Sequence, residues 1–426
     1  MNFIYSLIYS LSLTLLFPLE YFRRPKSLRS YWMKEKFGYI TQPLINDVKK
    51  NLWIHAVSVG EILAIYPLVK SLSTEYNIFL TTITDTGKAV AQKRYENLVT
   101  GVYYLPFDLQ PFLKRFIETI NPCALLIVET EIWPNLIDVA SKKIPVILIN
   151  GRISEKSFKR YLKAKWFFKR YLNKFSLLFV QEEKYKEYFL KLGVNEEKII
   201  VTGNLKFDLI VEKRDFPELE SLPRPFVVLG SSHEPEEVTI AKIFLELDLD
   251  GTLIIVPRHS ERFATVEVHL RSLASDKATF FRYSDLSQKI RLSNLIPESI
   301  SRKVILLFDK MGLLGSLYGV CDVAIIGGSF IPHGGQNPLE AIYWKKPVIT
   351  GPYMSNFPFV EEFWREGGIL KTTEQNLGEV LKSLLRDREF SESVSKIGYT
   401  LFLKMQGATE KTLEQLKRLI PRSYSN

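Results

Sequence analysis

With 426 residues, 46% of them apolar and 24% charged, the chain is too long for one ordinary hydrophobic core and too apolar for a disordered polymer, so two folded domains are expected. The formal charge of +10 implies an acidic partner, whether nucleic acid, an anionic membrane face or a phosphorylated substrate. The two cysteines, Cys123 and Cys321, are far apart and outside any CxxC or Cys/His spacing, which argues against a disulfide framework or thiolate metal site and fits buried thiols in a reduced compartment.

Residues 2–19 carry no charge, and Arg23, Arg24, Lys26 and Arg29 follow closely. That is about the length of one membrane span, with the basic cluster on the side that would keep the rest of the chain in the cytosol. A secretory signal would place its positive charge before the apolar run. The expectation is an anchor over 1–22 that spans the bilayer or lies on it; the alternative is a helix packed on the first domain, because Ser, Tyr and Asn make the segment only moderately apolar.

From residue 51, short β-branched runs alternate with amphipathic ones, the pattern of βα units around a parallel sheet. Strands are expected at 52–57, 78–83, 102–107, 124–129, 146–150, 177–181 and 199–203, completing one Rossmann-like domain over 23–210. In HAVSVGE (55–61) the first strand ends in Ser58-Val59-Gly60 and a helix begins with Glu61, whose carboxylate could take a proton from a hydroxyl or merely complement the helix dipole. In LLIVETEIWPNL (125–136) a buried strand runs into Glu129 and Glu131, either of which could bind a hydroxyl, orient Glu61 or stabilise developing positive charge; the neutral reading has Glu129 in solvent and Glu131 capping a helix. Residues 155–174 interleave Lys and Arg with Phe158, Trp166 and other apolar residues, as in one amphipathic helix on a membrane or a surface helix with one buried face. No nucleic-acid fold signature accompanies these basic stretches. GNLKFD (203–208) brings Lys206 to a loop where it could meet a phosphate or carboxylate.

Residues 211–224 turn charged and proline-bearing and read as a linker, after which strands are expected at 226–230, 252–257, 304–308, 323–327, 347–350 and 368–371 in a second domain over 225–400. LGSSHEPEE (229–237) passes from strand to helix start, with Ser231 or Ser232 able to cap a helix whose free N–H groups could receive an anion. Asp248-Leu249-Asp250 spells a DxD metal-binding pattern but precedes a strand and reads as a turn, so no metal is expected. IIVPRH (254–259) ends a strand with Arg258 and His259, suited to a nucleotide phosphate. In IIGGSFIPHGGQNPLEA (325–341), Gly334 and Gly335 permit close backbone approach, Asn337 fits a helix cap, Pro338 its first turn, and Glu340 could accept hydrogen bonds from ribose hydroxyls. The last helical stretch, within 401–426, is expected to return to the first domain.

HAVSVGE, TTITDTG, ETEIWPNL, NGRIS, GNLKFD, VPRH, GGSF and GGQNPLEA stand in the order and approximate spacing of one family. Over nearly its whole length the sequence resembles the 3-deoxy-D-manno-octulosonic acid (Kdo) transferases of lipopolysaccharide assembly. The resemblance implies an α/β glycosyltransferase-B architecture of two Rossmann-like domains with an N-terminal membrane-anchor helix. It implies an inverting, metal-independent enzyme without a cofactor, moving Kdo from CMP-Kdo to a tetraacylated lipid A precursor at the cytoplasmic side of the inner membrane. Glu61 would be the proton acceptor, with Glu131 and Lys206 stabilising the transition state. CMP would lie against Pro257, Arg258, His259, Met311, Gly312, Leu313, Ser329, Asn337, Pro338, Leu339 and Glu340. The sequence departs from the family pattern at Ser232, where Thr is usual, at Gln336, where His is common, and at 309–313, where the loop is usually more polar. Competing readings are a UDP-sugar transferase of the same fold, a sugar-nucleotide epimerase, and a glycolipid-binding scaffold that would need no base at Glu61.

Overall fold

The computed structural model describes residues 2–41, 45, 48–275, 277–286 and 302–420, which divide into two compact units: 1–210 with 405–426, and 211–404. Residues 211–224, expected as a linker, thus group with the second unit, and so do residues 401–404 of the final stretch.

The first unit holds seven parallel strands: β1 Lys50–His55, β2 Tyr76–Thr82, β3 Gly101–Tyr104, β4 Pro122–Val128, β5 Val146–Gly151, β6 Leu177–Val180 and β7 Ile199–Val201, ordered β3-β2-β1-β4-β5-β6-β7. Successive side chains point to opposite faces of the sheet, so Trp53, Phe79, Leu125 and Ile127 enter one core and Leu52, Ile54, Ile78 and Leu126 the other. Both faces are covered, which is why these strands read as unbroken apolar runs. The chain order reverses between β1 and β4, and the crevice outside the carboxyl ends of such a pair is where ligands settle in open α/β sheets.

The second unit repeats the design with β8 Phe226–Ser232, β9 Gly251–Pro257, β10 Thr279–Arg282, β11 Lys303–Leu307, β12 Val323–Ile326, β13 Val348–Thr350 and β14 Leu370–Lys371. Their order is β10-β11-β9-β8-β12-β13-β14, with the reversal between β8 and β12. The edge strand β10, half-buried along its length, is absent from the sequence expectation.

The final stretch is two helices. Arg388–Lys404 stays with the second unit, and Gly407, at φ +99°, starts Ala408–Leu419, which packs in the first. Asp208, at the end of GNLKFD, accepts hydrogen bonds from the backbone N–H groups of Gly407 and Thr409, so the motif caps the returning helix. Asp208→Ala is expected to cost about 1–2 kcal/mol and to speed amide exchange across 408–419. Unchanged exchange there would assign the return to Leu413 and Leu416 packing alone.

Residues 155–174 form two helices, Glu155–Lys163 and Lys165–Leu172, broken at Ala164. Phe158, Tyr171 and Leu172 are buried, leaving Leu162 and Trp166 as the large apolar residues exposed there. The helix Asn2–Arg23 is long and apolar enough to cross a membrane, and it also packs one face on the first unit, where Tyr9, Leu13, Phe17 and Tyr21 meet Trp32, Tyr104 and Phe107. Of the two cysteines, Cys321 is buried and Cys123 only half-buried; both are free.

Candidate active site

At the reversal point of the first unit, Ser58 begins the helix Val59–Ala64: its hydroxyl oxygen accepts from the Glu61 backbone N–H at 3.3 Å and donates to Glu61 Oε1 at 2.8 Å. Glu61 Oε2 accepts from the Val57 backbone N–H at 2.8 Å. The Ser-x-x-Glu spacing of HAVSVGE produces this variant of a capping box, in which the Glu61 carboxylate reaches past the cap residue to the N–H of Val57. The same contacts hold the carboxyl group at the sheet edge, 7% exposed, where burial pushes its pKa up to about 7 with help from the nearby charges of Glu129 and Glu131. The dipole-complementing role and a titrating role therefore coexist in one side chain.

Across the reversal, β4 is followed directly by Glu129, whose backbone is left-handed at φ +55°. Its carboxylate accepts from Lys206 Nζ at 3.0 Å and lies 3.7 Å from Arg152 Nε. Glu129 is thus an ion-paired group, 18% exposed, and not a solvated end. Glu131 caps no helix: Pro134–Ala140 starts at Trp133 without a side-chain cap, and Glu131 Oε2 accepts the Trp133 indole N–H at 3.1 Å. Burial, followed by the charge of Glu129, raises its pKa. Lys206 is positioned by Asn204, whose Oδ1 accepts the Lys206 backbone N–H, and by buried Asn150, whose Oδ1 accepts that of Leu205. The structure brings Glu61, Glu131 and Lys206 to one edge. Glu129, read in the sequence as one of two candidate functional carboxylates at the strand end, turns out to be the partner of Lys206, and Arg152 of NGRIS joins it unforeseen.

In the second unit the expected serine caps do not form. Ser231 is left-handed at φ +55°, Ser232 donates to Glu237 at 3.0 Å, and Pro235 precedes the helix Glu236–Glu246. The anion at this helix start is the protein's own. Glu236, fully buried, accepts from the backbone N–H groups of His233 at 3.0 Å, Gly328 at 2.7 Å and Phe330 at 3.1 Å, tying β8 to the loop after β12. Around this tie, the His233 ring lies 4.1 Å from that of His333 and 5.6 Å from that of His259, with Gln336 Nε2 at 3.1 Å from its Nε2. Burial and the two other imidazoles lower the His233 pKa to about 4, so it is neutral near pH 7.

Pro257 and Arg258 end β9 beside Ser232, and the Arg258 guanidinium has no protein partner among the described residues. His259 is exposed, 3.8 Å from Glu261. Met311 is 48% exposed and Gly312, at φ +84°, faces open space before Leu313. Asn337 Oδ1 accepts from the Leu339 N–H at 3.1 Å, so it caps the short helix Leu339–Tyr343, with Pro338 one position before the helix and Glu340 half-buried beside Gly315. Ser329 departs from the expected set. It is fully buried, donates to the Ile326 carbonyl and accepts from the Gly351 N–H at 2.8 Å, which leaves its hydroxyl facing the protein.

The close approach that Gly334 and Gly335 permit is to the protein's own loop after β13. A Cβ at Gly335 would sit 2.1 Å from Met354 Sδ, and one at Gly334 2.6 Å from the Asn356 side chain. Since Gly335 also has φ +75°, Gly335→Ala is expected to destabilise the second unit by about 2–3 kcal/mol, measured by denaturant unfolding. Asp248 and Asp250, at the amino end of β9, pair loosely with Arg386 and Arg302, and no group of three His, Cys, Asp or Glu side chains able to hold a metal occurs among the described residues.

Comparison with known proteins supplies the family. A family model described as 3-deoxy-D-manno-octulosonic-acid transferase (kdotransferase) matches residues 32–209. The chain is 34% identical over 390 residues to the 3-deoxy-D-manno-octulosonic acid transferase of Haemophilus influenzae, covering 88% of each, and 29% identical over 403 residues to that of Chlamydia trachomatis serovar D, covering 91% of this chain and 90% of the other. Among solved structures it is similar to UDP-GlcNAc 2-epimerase from Neisseria meningitidis bound to UDP-GlcNAc, with TM-score 0.58, 14% identity and coverage of 87% of this chain and 100% of that one. An Anabaena protein in complex with UDP and glucose gives TM-score 0.54 at 14% identity, covering 87% of this chain and 99% of that one. At that identity the structural likeness speaks for the α/β fold with two Rossmann-like units, of the glycosyltransferase-B kind. Two relatives matched along nearly their full lengths speak for the chemistry: the chain belongs to the 3-deoxy-D-manno-octulosonic acid transferase family and is a glycosyltransferase.

Proposed function

We propose that this chain moves Kdo from CMP-Kdo to a tetraacylated lipid A precursor, with inversion and without a metal, at the cytoplasmic face of the inner membrane, as a step of lipopolysaccharide core assembly. The observation that carries the reading is Glu61: a buried carboxyl at the reversal point of the sheet whose pKa, about 7, suits a general base at neutral pH. An acceptor hydroxyl would give its proton to Glu61 as its oxygen bonds to the anomeric carbon. The bond from that carbon to the CMP phosphate oxygen breaks, and CMP leaves with the electron pair. Lys206 and Glu131 are assigned to stabilising the charges that develop, with Glu129 holding the lysine in place.

For the nucleotide, the reading assigns Pro257, Arg258, His259, Met311, Gly312, Leu313, Asn337, Pro338, Leu339 and Glu340. The unpartnered Arg258 guanidinium suits a phosphate. Ser329 is withdrawn as a side-chain ligand because its hydroxyl is already used.

The test is incubation of the purified chain with CMP-Kdo and the tetraacylated precursor, with chelator present, and product identification by mass. A product heavier by one or more Kdo residues is expected, together with free CMP. No product, with no binding of CMP-Kdo, would turn the reading toward a UDP-sugar donor; no product with chelator but transfer on adding Mg²⁺ would overturn metal independence alone.

A further inference from the structure

The helix Asn2–Arg23 has two faces of different character along its whole length. On one, Asn2, Tyr5, Ser6, Tyr9, Leu13, Phe17 and Tyr21 recur at helical spacing and are all partly buried against the first unit. Three hydrogen bonds fasten the amino-terminal half: Tyr171 donates to Asn2 Oδ1 at 2.7 Å, Asn135 Nδ2 donates to Ser6 Oγ at 2.9 Å, and the Tyr9 hydroxyl accepts the Asp108 N–H at 3.2 Å, with the Tyr5 hydroxyl close to the Asp108 carboxylate. The carboxyl-terminal half is fastened by Phe17 against Trp32 and Phe107, and the following Arg24 pairs with Asp85 at 3.1 Å. On the other face, Phe3, Leu7, Leu11, Leu15, Leu19 and Phe22 are each more than half exposed.

We propose that this helix lies in the plane of an anionic lipid surface, docked on the protein by one face and immersed by the other, and does not cross the bilayer. To cross, it would have to leave the domain, strand the partners of Asn2, Tyr5, Ser6 and Tyr9, uncover Trp32 and Phe107, and carry its own polar groups into hydrocarbon. Lying flat, its 22 residues, about 33 Å long, keep every docked contact while the outer stripe enters the boundary between headgroups and acyl chains. An apolar stripe of this length is larger than soluble monomers ordinarily leave in water.

The charge around it selects the occupant. Exposed Arg23 ends the helix and exposed Lys26 follows it, and Tyr171, which holds Asn2, belongs to the helix Lys165–Leu172 that exposes Lys165, Lys169 and Arg170 beside Trp166. Cations with an interfacial tryptophan fit anionic headgroups, whereas a second copy of this basic face would meet it with like charge. This inference rests on the proposed membrane location and deepens it; it is independent of donor and acceptor.

The test uses the full chain with Cys123→Ser, buried Cys321 left in place, and single cysteines at Phe3→Cys, Leu11→Cys or Leu19→Cys carrying an NBD fluorophore. Each variant is added to vesicles of three parts phosphatidylcholine and one part phosphatidylglycerol. The expected result is a blue shift at all three positions, equal shallow depths from lipids quenching at defined depths, and complete bleaching of all three by external dithionite, which does not cross membranes. A deep Leu11 label with Phe3 protected from dithionite would overturn the in-plane helix and leave the membrane location standing. No vesicle binding would overturn both, and a blue shift without vesicles that grows with protein concentration would assign the stripe to a second copy.

Discussion

Glu61→Gln is expected to lower Kdo transfer by about 10³-fold while leaving the fold and CMP binding intact, because glutamine keeps the size of the side chain but cannot take a proton. The wild-type rate should rise with pH through about 7 and then level, as the buried carboxyl ionises. The residual rate of the variant should lack that limb. The same shift has a stability consequence of definite sign. A carboxyl whose folded pKa stands above its ordinary 4.5 disfavours the folded state once ionised, so stability is full below about pH 4.5 and is lost as pH rises to about 7. The loss is on the order of 3 kcal/mol relative to the glutamine variant, readable by urea melts at pH 5 and pH 8. Transfer within tenfold of wild type, with the acid limb retained, would move the base to another group, Glu131 first.

Much of this site was legible because it depends on short spacings. HAVSVGE marks a strand-to-helix turn that presents Glu61, although the helix starts two residues earlier than expected, at Val59, and the cap by Ser58 went unread; the runs of β-branched residues mark the strands followed by Glu61, Glu129 and Glu131. What escaped depends on contacts distant in sequence. Lys206 pairs with Glu129 across 77 positions and Glu236 reaches Gly328 across 92, and neither spacing leaves a periodic trace. Strand β10 escaped for another reason: an edge strand only half-buried along its length lacks the solid apolar run of its neighbours. The glycines of 334–335 show the opposite limit. Their role in close backbone approach could be read, but the atom that approaches Gly335, Met354 Sδ, comes from a loop no pattern connects to them. Aromatic residues interleaved with lysines at 155–174 left open both a lipid-facing helix and a surface helix with one buried face, and the packing of Tyr161, Phe167 and Phe168 onto the same core as Phe158 and Tyr171 supplies the buried face, on two helices where one was expected.

Glu236→Ala is expected to be the most destabilising single substitution in the second unit. It deprives three buried backbone N–H groups of their acceptor at once, and each orphaned group costs about 1–3 kcal/mol, so a total loss of about 4 kcal/mol is expected in urea unfolding of the full chain. Glutamine should restore little, because its amide NH₂ would face N–H groups where the carboxylate presents only acceptors. The effect on ligand binding follows from the fold. Gly328 and Phe330 open the loop that continues through Gln336 to Asn337, and His233 on the other strand is held by the same carboxylate. Releasing that tie frees both sides of the crevice where the proposed CMP contacts gather, so CMP affinity measured by calorimetry should fall at least tenfold under conditions where the variant remains folded. Full CMP affinity in a destabilised Glu236→Ala protein would separate the two effects and place the nucleotide nearer Arg258 and Met311, away from the loop after β12.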